Sequence, residues 1–216
     1  MNTTLNEIRS HDPCSDGWEK LLKHLGKLKA DDEPLSYIEI LESNGINDAI
    51  WALRCADTEY SYIVRLFAAK CAESVLHIYE KNYPDDPRVK NCINTSRMYA
   101  LDLVDNAARD AARAAARAAA RDAARDASWD ADRAADRNAA RDAAWAADRA
   151  ADRDDAWDAA RAAARAADRD ASSAACSAAF SAAFIGEREK QAEWFKEYFT
   201  EAKSLEHYQD TERLLA

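Results

Sequence analysis

Glycine is scarce in this chain, and its four occurrences, Gly17, Gly26, Gly45 and Gly186, are too scattered to build a phosphate-cradling loop. Neither G-x-x-x-x-G-K-S/T nor G-x-G-x-x-G occurs, which excludes the common nucleotide-binding enzymes, and the G-x-S-x-G nucleophile elbow is missing too. Proline also appears four times, and neither Pro nor Gly interrupts the stretch between Pro87 and Gly186. Cysteine is sparse, odd in number and never spaced as C-x-x-C: Cys14, Cys55, Cys71, Cys92 and Cys176 read as reduced thiols of a cytoplasmic protein. His11, His24, His77 and His207 stand alone, so no zinc-ligand spacing exists and no metal or other cofactor is expected. Any Cys–His pairing would have to be made by the fold. No apolar run is long enough for a signal peptide or a membrane span, and none is expected.

What the chain has instead is a four-residue repeat from about Ala107 to Phe184. Arg109, Arg113, Arg117, Arg121, Arg125, Arg133, Arg137, Arg141, Arg149, Arg153, Arg161, Arg165 and Arg169 share one register, and Trp129, Trp145 and Trp157 take its place where Arg is missing. Ala fills nearly every position two places on, from Ala111 to Ala183, with Asp155 the exception. Asp favours the other two registers and often precedes Arg by three, as at Asp110, Asp122, Asp130 and Asp158, each pair adding roughly 0.2–0.5 kcal/mol to a helix. Ala and Arg are strong helix formers and nothing local opposes them, so the segment is helical.

A period of four does not match a turn of 3.6. The Ala register therefore advances about 40° per repeat and winds around a straight helix. The neighbouring register is often Ala as well, which keeps a small-residue face broad enough to stay buried for about 20 residues. Two arrangements follow: one rod roughly 110 Å long at ~1.5 Å per residue, or shorter helices folded back on one another. A solitary rod would hide almost nothing and leave three indoles in water, so burial favours the folded-back form. Ala faces then let helices approach at the low end of the ~8–10 Å range. Breaks are expected at Ala127 to Asp132 and Asp152 to Asp155, where Ser or Asp can cap a new helix. Trp129, Trp145 and Trp157 read as anchors between layers or, with Arg133 and Arg149, as contact residues for a partner.

Outside the repeat the pattern is that of ordinary amphipathic helices. Leu5 and Ile8 lie on a short turn. A helix capped by Ser15 or Asp16 carries Trp18, Leu21, Leu22 and Leu25 to Gly26. Ser36 and Glu39 form a capping box for a helix ending at Asn44-Gly45, and Asn47 caps the next. A longer helix is predicted from Thr58 to Pro84, with His77 half-buried on it. Asp86-Pro87 opens another that carries Ile93, Tyr99, Leu101 and Val104 straight into the repeat. At the far end Gly186 breaks the chain, and a helix from about Glu187 presents Trp194, Phe195, Tyr198, Phe199 and Leu205; the tail from His207 frays. Asp31-Asp32, Asp85-Asp86 and Asp154-Asp155 read as connectors or caps. The fold class is all-α, in three parts: an N-terminal helical domain over 1–106, repeat helices packed as hairpins or a bundle over 107–185, and a C-terminal amphipathic helix and tail over 186–216.

The first hundred residues resemble a bacterial and phage family named putative immunity protein. The stretches that carry the resemblance are Asp12-Pro13-Cys14, Gly17-Trp18-Glu19-Lys20-Leu21-Leu22, Gly26-Lys27 and Asp31-Asp32-Glu33-Pro34-Leu35. It continues through Ile40-Leu41-Glu42-Ser43-Asn44-Gly45, Ala49-Ile50-Trp51-Ala52-Leu53-Arg54, Tyr79-Glu80-Lys81 and Tyr83-Pro84-Asp85-Asp86-Pro87-Arg88. Members of that family often run on into Ala-rich repeats. The resemblance implies an all-helical protein, frequently phage- or prophage-borne, that binds and neutralises another protein; no catalytic residues are established for the family, so none carries over.

The expectation is thus a non-enzymatic immunity or inhibitor protein acting in the cytoplasm of a bacterial host cell on a toxin or a defence component, without cofactor, membrane or direct nucleic-acid binding. One alternative is an acidic nucleic-acid mimic that blocks a nuclease, restriction or CRISPR complex, consistent with the net charge of −10 but opposed by the alternating Arg. Another is a structural repeat that self-assembles into a homo-oligomer.

Overall fold

The computed structural model describes residues 1–129, 134–150, 159–166, 177–200 and 207–209. Its class is all-α, with one minimal exception. A two-stranded antiparallel sheet pairs β1 (Asn2–Thr3) with β2 (Leu35–Ser36), in the register Asn2 to Ser36 and Thr3 to Leu35. Two compact units divide the chain, one formed by Met1–Ile63 with Ala192–Ala216 and the other by Val64–Gln191.

In the first unit, α1 (Leu5–Ser10) is capped by the Thr4 hydroxyl and buries Leu5 and Ile8. The next helix, α2 (Ser15–Leu25), has Cys14 at its N-cap with no side-chain bond, so neither Ser15 nor Asp16 caps it. It stops at Gly26, whose left-handed φ of 65° lets Lys27 N–H reach the Leu22 carbonyl at 2.9 Å. At Gly17 within α2 a Cβ would meet the Asp48 carboxylate at 2.8 Å, so a larger residue there would have to displace that carboxylate from its 2.8 Å bond with Asn44. The capping box forms as expected, with Ser36 and Glu39 bonding reciprocally at the start of α3 (Tyr37–Asn44). Gly45, not Asn47, occupies the N-cap of α4 (Ile46–Ala52). The core of this unit joins Leu5, Tyr37, Ile40 and Ile50 to Phe195 and Phe199, with the Tyr37 and Phe199 rings 6.1 Å apart. Tyr208 stacks on Tyr198 at 6.2 Å, so the first residues of the expected fraying tail are held.

The long helix predicted from Thr58 is divided. A 3-10 turn at Thr58–Tyr60 leads into α5 (Ser61–Ser74), and α6 (Leu76–Asn82) follows after Val75. The division coincides with Ser74, whose hydroxyl bonds the Cys71 carbonyl at 2.8 Å and the Glu187 carboxylate at 2.7 Å, offering the backbone an alternative to continued helix. The new helical phase buries Ile78 and Tyr79 and turns His77 to the surface, so His77 is exposed where a half-buried side chain was expected.

The expected run-through from α7 (Arg88–Ala100) into the repeat does not occur. Asp102 takes a left-handed φ of 56°, Leu103 N–H bonds the Met98 carbonyl at 2.8 Å, and Asp102 N–H bonds the Tyr99 carbonyl at 3.2 Å. This is a Schellman termination in which Asp does what Gly usually does. Asp105 then starts the repeat afresh, its carboxylate accepting from Ala108 N–H at 2.9 Å at the head of α8 (Asn106–Trp129).

The repeat folds back as burial required. In the second unit α8 lies against both α7 and α9 (Ala134–Ala150), and α6 and α7 also pack on α9. The first expected break is matched by the end of α8 at Trp129; the second, Asp152 to Asp155, lies outside the described residues. On α9 the fully buried alanines include Ala139, Ala143, Ala146 and Ala150, a 4-3-4 spacing cut from a sequence of period four. Because Ala fills more than one register, the buried stripe can step between registers and cancel the 40° drift. Roughly 0.8 kcal/mol per buried methyl-sized group then accumulates along both helices.

Residues 159–166 are helical and belong to α10, and α11 (Ser177–Thr200) follows. Gly186 does not break α11. Glu187 and Gln191 beside it are buried and hydrogen-bonded, and that tertiary anchoring outweighs the roughly 1 kcal/mol helix cost of one glycine.

Candidate functional site

Between α9 and α10 lies a cleft of about 330 Å³ lined by Arg141, Asp142, Trp145, Arg149, Arg161, Ala162 and Arg165. Arg141, Trp145, Arg149, Arg161 and Arg165 all belong to the one Arg/Trp register of the repeat. The alanine registers of both helices are buried, which leaves this register of each helix lining the cleft. Among the described residues, four guanidinium groups and one carboxylate line it.

Each wall is fixed from behind. On α9, Asp148 is fully buried and receives Arg117 at 2.9 Å and Arg113 at 3.4 Å, both from α8. The neighbouring Ala147 carbonyl accepts from the Cys92 thiol at 3.4 Å. Burial pushes that thiol up to about 12, with the Asp148 charge adding to the effect, so Cys92 stays protonated as the donor. On α10, the Ala160 carbonyl accepts from Gln191 of α11 at 3.0 Å. Gln191 is itself completely buried and also accepts from Arg188 at 2.8 Å. Burial holds the Arg188 guanidinium below its ordinary range, and the positive charge of Arg161 nearby pushes the same way.

Inside the cleft, Arg141 bonds its neighbour Asp142 at 3.2 Å, so this carboxylate is engaged at one edge. The Arg149 guanidinium carbon sits 5.6 Å from the centre of the Trp145 ring, within cation–π range. Trp145 is half-buried, with one part held by the helices and another open to the cleft, while Arg161 and Arg165 are exposed. A planar apolar ring framed by guanidinium forks is the side-chain composition of a protein-binding hot spot.

Of the residues singled out from the sequence, the structure brings Trp145 and Arg149 together. Trp157 and Arg133 lie outside the described residues, as does the side chain of Trp129. Arg141, Arg161 and Arg165 were not singled out, although their shared register with Trp145 was the available signal.

The expected Asp-to-Arg helix pairs give way in part to longer reaches. Asp122 keeps Arg125 at 3.6 Å but also takes Arg88 of α7 at 2.9 Å, while Arg113 reaches Asp148 on α9. Asp86 was expected to cap α7, but Pro87 holds the N-cap position with no side-chain bond; the Asp86 carboxylate instead accepts from Arg88 N–H at 3.0 Å, is gripped by the Arg88 guanidinium at 2.6 Å and receives the Tyr79 hydroxyl at 2.6 Å, and its carboxyl is held down to about 2 by Arg88 in the first place.

The fold does create one Cys–His approach, with Cys55 Sγ 3.7 Å from His11 Nδ1. Burial, reinforced by the Glu7 charge, raises the Cys55 thiol to about 12, the opposite of what nucleophilic activation needs. No group of three or more metal-ligating side chains occurs among the described residues, and no described helix is long and apolar enough to cross a membrane.

Comparison with known proteins gives one relationship. Residues 57–151 match the family described as Imm-5 like putative immunity protein. The match takes in the Tyr79 to Arg88 stretches quoted above and one wall of the cleft, with Arg141, Trp145 and Arg149; the quoted stretches from Asp12 to Arg54 precede it. No curated protein and no solved structure matches the chain.

Proposed function

With residues 57–151 matching the Imm-5 like putative immunity protein family, we propose that this chain is an immunity or inhibitor protein that neutralises a partner protein by binding it, with no chemistry of its own. The partner is a toxin or a defence component met in the cytoplasm of a bacterial cell, and the gene is phage- or prophage-borne. The contact surface is the cleft of Trp145, Arg149, Arg161 and Arg165. The observation that supports this most is that the family-matched segment supplies the aromatic wall of the one cleft in which a tryptophan of the repeat is framed by arginines among the described residues.

Nucleic-acid mimicry is the weaker reading, because the aspartates that would form its negative stripe are drawn into pairs or buried, as at Asp122, Asp142 and Asp148. The test is co-expression with the product of the adjacent gene, or with another candidate toxin, followed by growth. Wild-type chain restores growth, and the double variant Trp145→Ala, Arg149→Ala loses at least ten-fold of that protection while staying helical. Full protection by the double variant would remove the cleft from the mechanism.

A further inference from the structure

Resting on that partner-binding reading, we propose that the cleft recognises an extended acidic segment of the partner, with the pattern acidic, any, apolar, any, acidic. Arg141, Trp145 and Arg149 are stations four residues apart on α9. On a helix that spacing is about 6 Å per step and about 12 Å in all. In an extended peptide, alternate residues on one face are about 6.6 Å apart, so residues one, three and five span about 13 Å. The three stations and the three side chains therefore coincide within about 1 Å. Arg161 and Arg165 provide a second pair of forks at the same pitch on the facing wall. Carboxylates at the two ends accept guanidinium hydrogen bonds in the planar, two-pronged geometry that Arg favours, and the apolar residue between them packs on the half-buried indole.

The same geometry limits the length of the ligand. Each station is rotated by about 40° from the last, so a matched segment leaves the groove after about two steps, or five residues. Charge favours a short peptide over a nucleic acid. The chain carries −10 overall, which repels a long polyanion at range, while the four guanidinium groups among the described lining residues attract a few carboxylates at contact.

The probe is a fluorescein-labelled peptide with Glu-Thr-Leu-Thr-Glu between neutral flanks, titrated against the full chain by fluorescence polarisation. Saturable binding is expected, weakening about ten-fold between about 50 and about 300 mM salt. Arg149→Ala and Arg161→Ala each lose about five-fold, as expected for ion pairs in an open cleft. Arg149→Lys recovers part of that loss, because a point charge remains without the fork. Trp145→Phe, chosen to spare the packing, binds more tightly than Trp145→Ala, and Arg121→Ala, in the same register on α8 but outside the cleft, binds like wild type. Circular dichroism confirms that each variant retains its helix.

The inference is overturned by equal affinity for the reordered peptide Glu-Glu-Thr-Thr-Leu, by wild-type affinity in Arg149→Ala, or by tighter binding of an oligothymidylate than of the peptide. Protection by the chain that depends on Trp145 while the acidic peptide fails to bind would remove the acidic-segment inference and leave the partner-binding reading standing. Peptide binding that depends on Arg149, with protection unaffected by the double variant, would do the reverse.

Discussion

Asp148 shows how one residue can decide the placement of a helix. A carboxylate with no exposure, in an interface lined largely by alanine methyl groups, is tolerated because Arg113 and Arg117 reach it from α8. Asp148→Ala strands two cations at the α8–α9 contact, and we expect about 2 kcal/mol of lost stability, below the roughly 3–5 kcal/mol of a fully buried pair because Arg117 is part-exposed and can turn to water. Urea denaturation measures it, and a loss below about 0.5 kcal/mol, the size of an ordinary surface change, would mean that the pair does not order the interface.

Asp86 makes a second residue-scale prediction. Its carboxyl is lowered from the ordinary value to about 2 in the fold, so it contributes stability that is complete above pH 4 and is lost as pH falls from about 4 to about 2. Thermal melts of Asp86→Asn are expected to be lower than wild type at pH 6, with the gap closing across that window. The role of Asp148 was not readable beforehand, since the same Asp type appears along the repeat and only tertiary position separates a buried Asp148 from a solvated one; Asp86 was legible as the start of a helix, but its Tyr79 and Arg88 partners were not.

Elements were more legible than residues. The helical state of the repeat, the Ser36–Glu39 box and the Gly26 stop follow from local chemistry, and local chemistry is what the sequence displays. Boundaries were misplaced where tertiary bonds override local preference, as where Ser74 and Glu187 divide α5 from α6 and where Gly186 is carried through α11, and also locally, where Asp102 takes the left-handed cap usually reserved for glycine and Cys14 and Gly45 take N-caps expected of nearby residues. The glycine within α11 yields a further prediction. A Cβ at Gly186 would meet nothing within 4 Å, so Gly186→Ala gains helix propensity without a clash and should stabilise by about 0.5–1 kcal/mol. A lowered melting temperature would show that the position needs glycine for a reason other than helix. The candidate site was half legible for a related reason. Trp145 and Arg149 stand out as a substitution within a register and its neighbour, but the facing Arg161 and Arg165 become neighbours of Trp145 only after the chain folds back.

At the scale of the whole molecule, the repeat's two residue classes divide the work. Alanine registers are buried and hold α8 and α9 together, while the Arg/Trp register lines a local cationic cleft in a chain whose net charge is −10. Such a contrast between the net charge and the site gives an acidic partner one favourable approach and makes association weaken with salt. Both parts depend on the repeat being packed. A solitary rod would have helical amides that exchange at local fraying rates, whereas packed helices exchange only when the unit opens.

Hydrogen exchange followed by mass spectrometry, on the free chain and with the acidic peptide bound, tests the two together. Fragments covering Ala116 to Ala123 and Ala139 to Ala150 should be protected as strongly as α5, with added protection on binding confined to fragments around Arg141 to Arg149 and Arg161 to Arg165. Exchange of the repeat within seconds, unchanged by the peptide, would contradict the packed helices and the cleft they form.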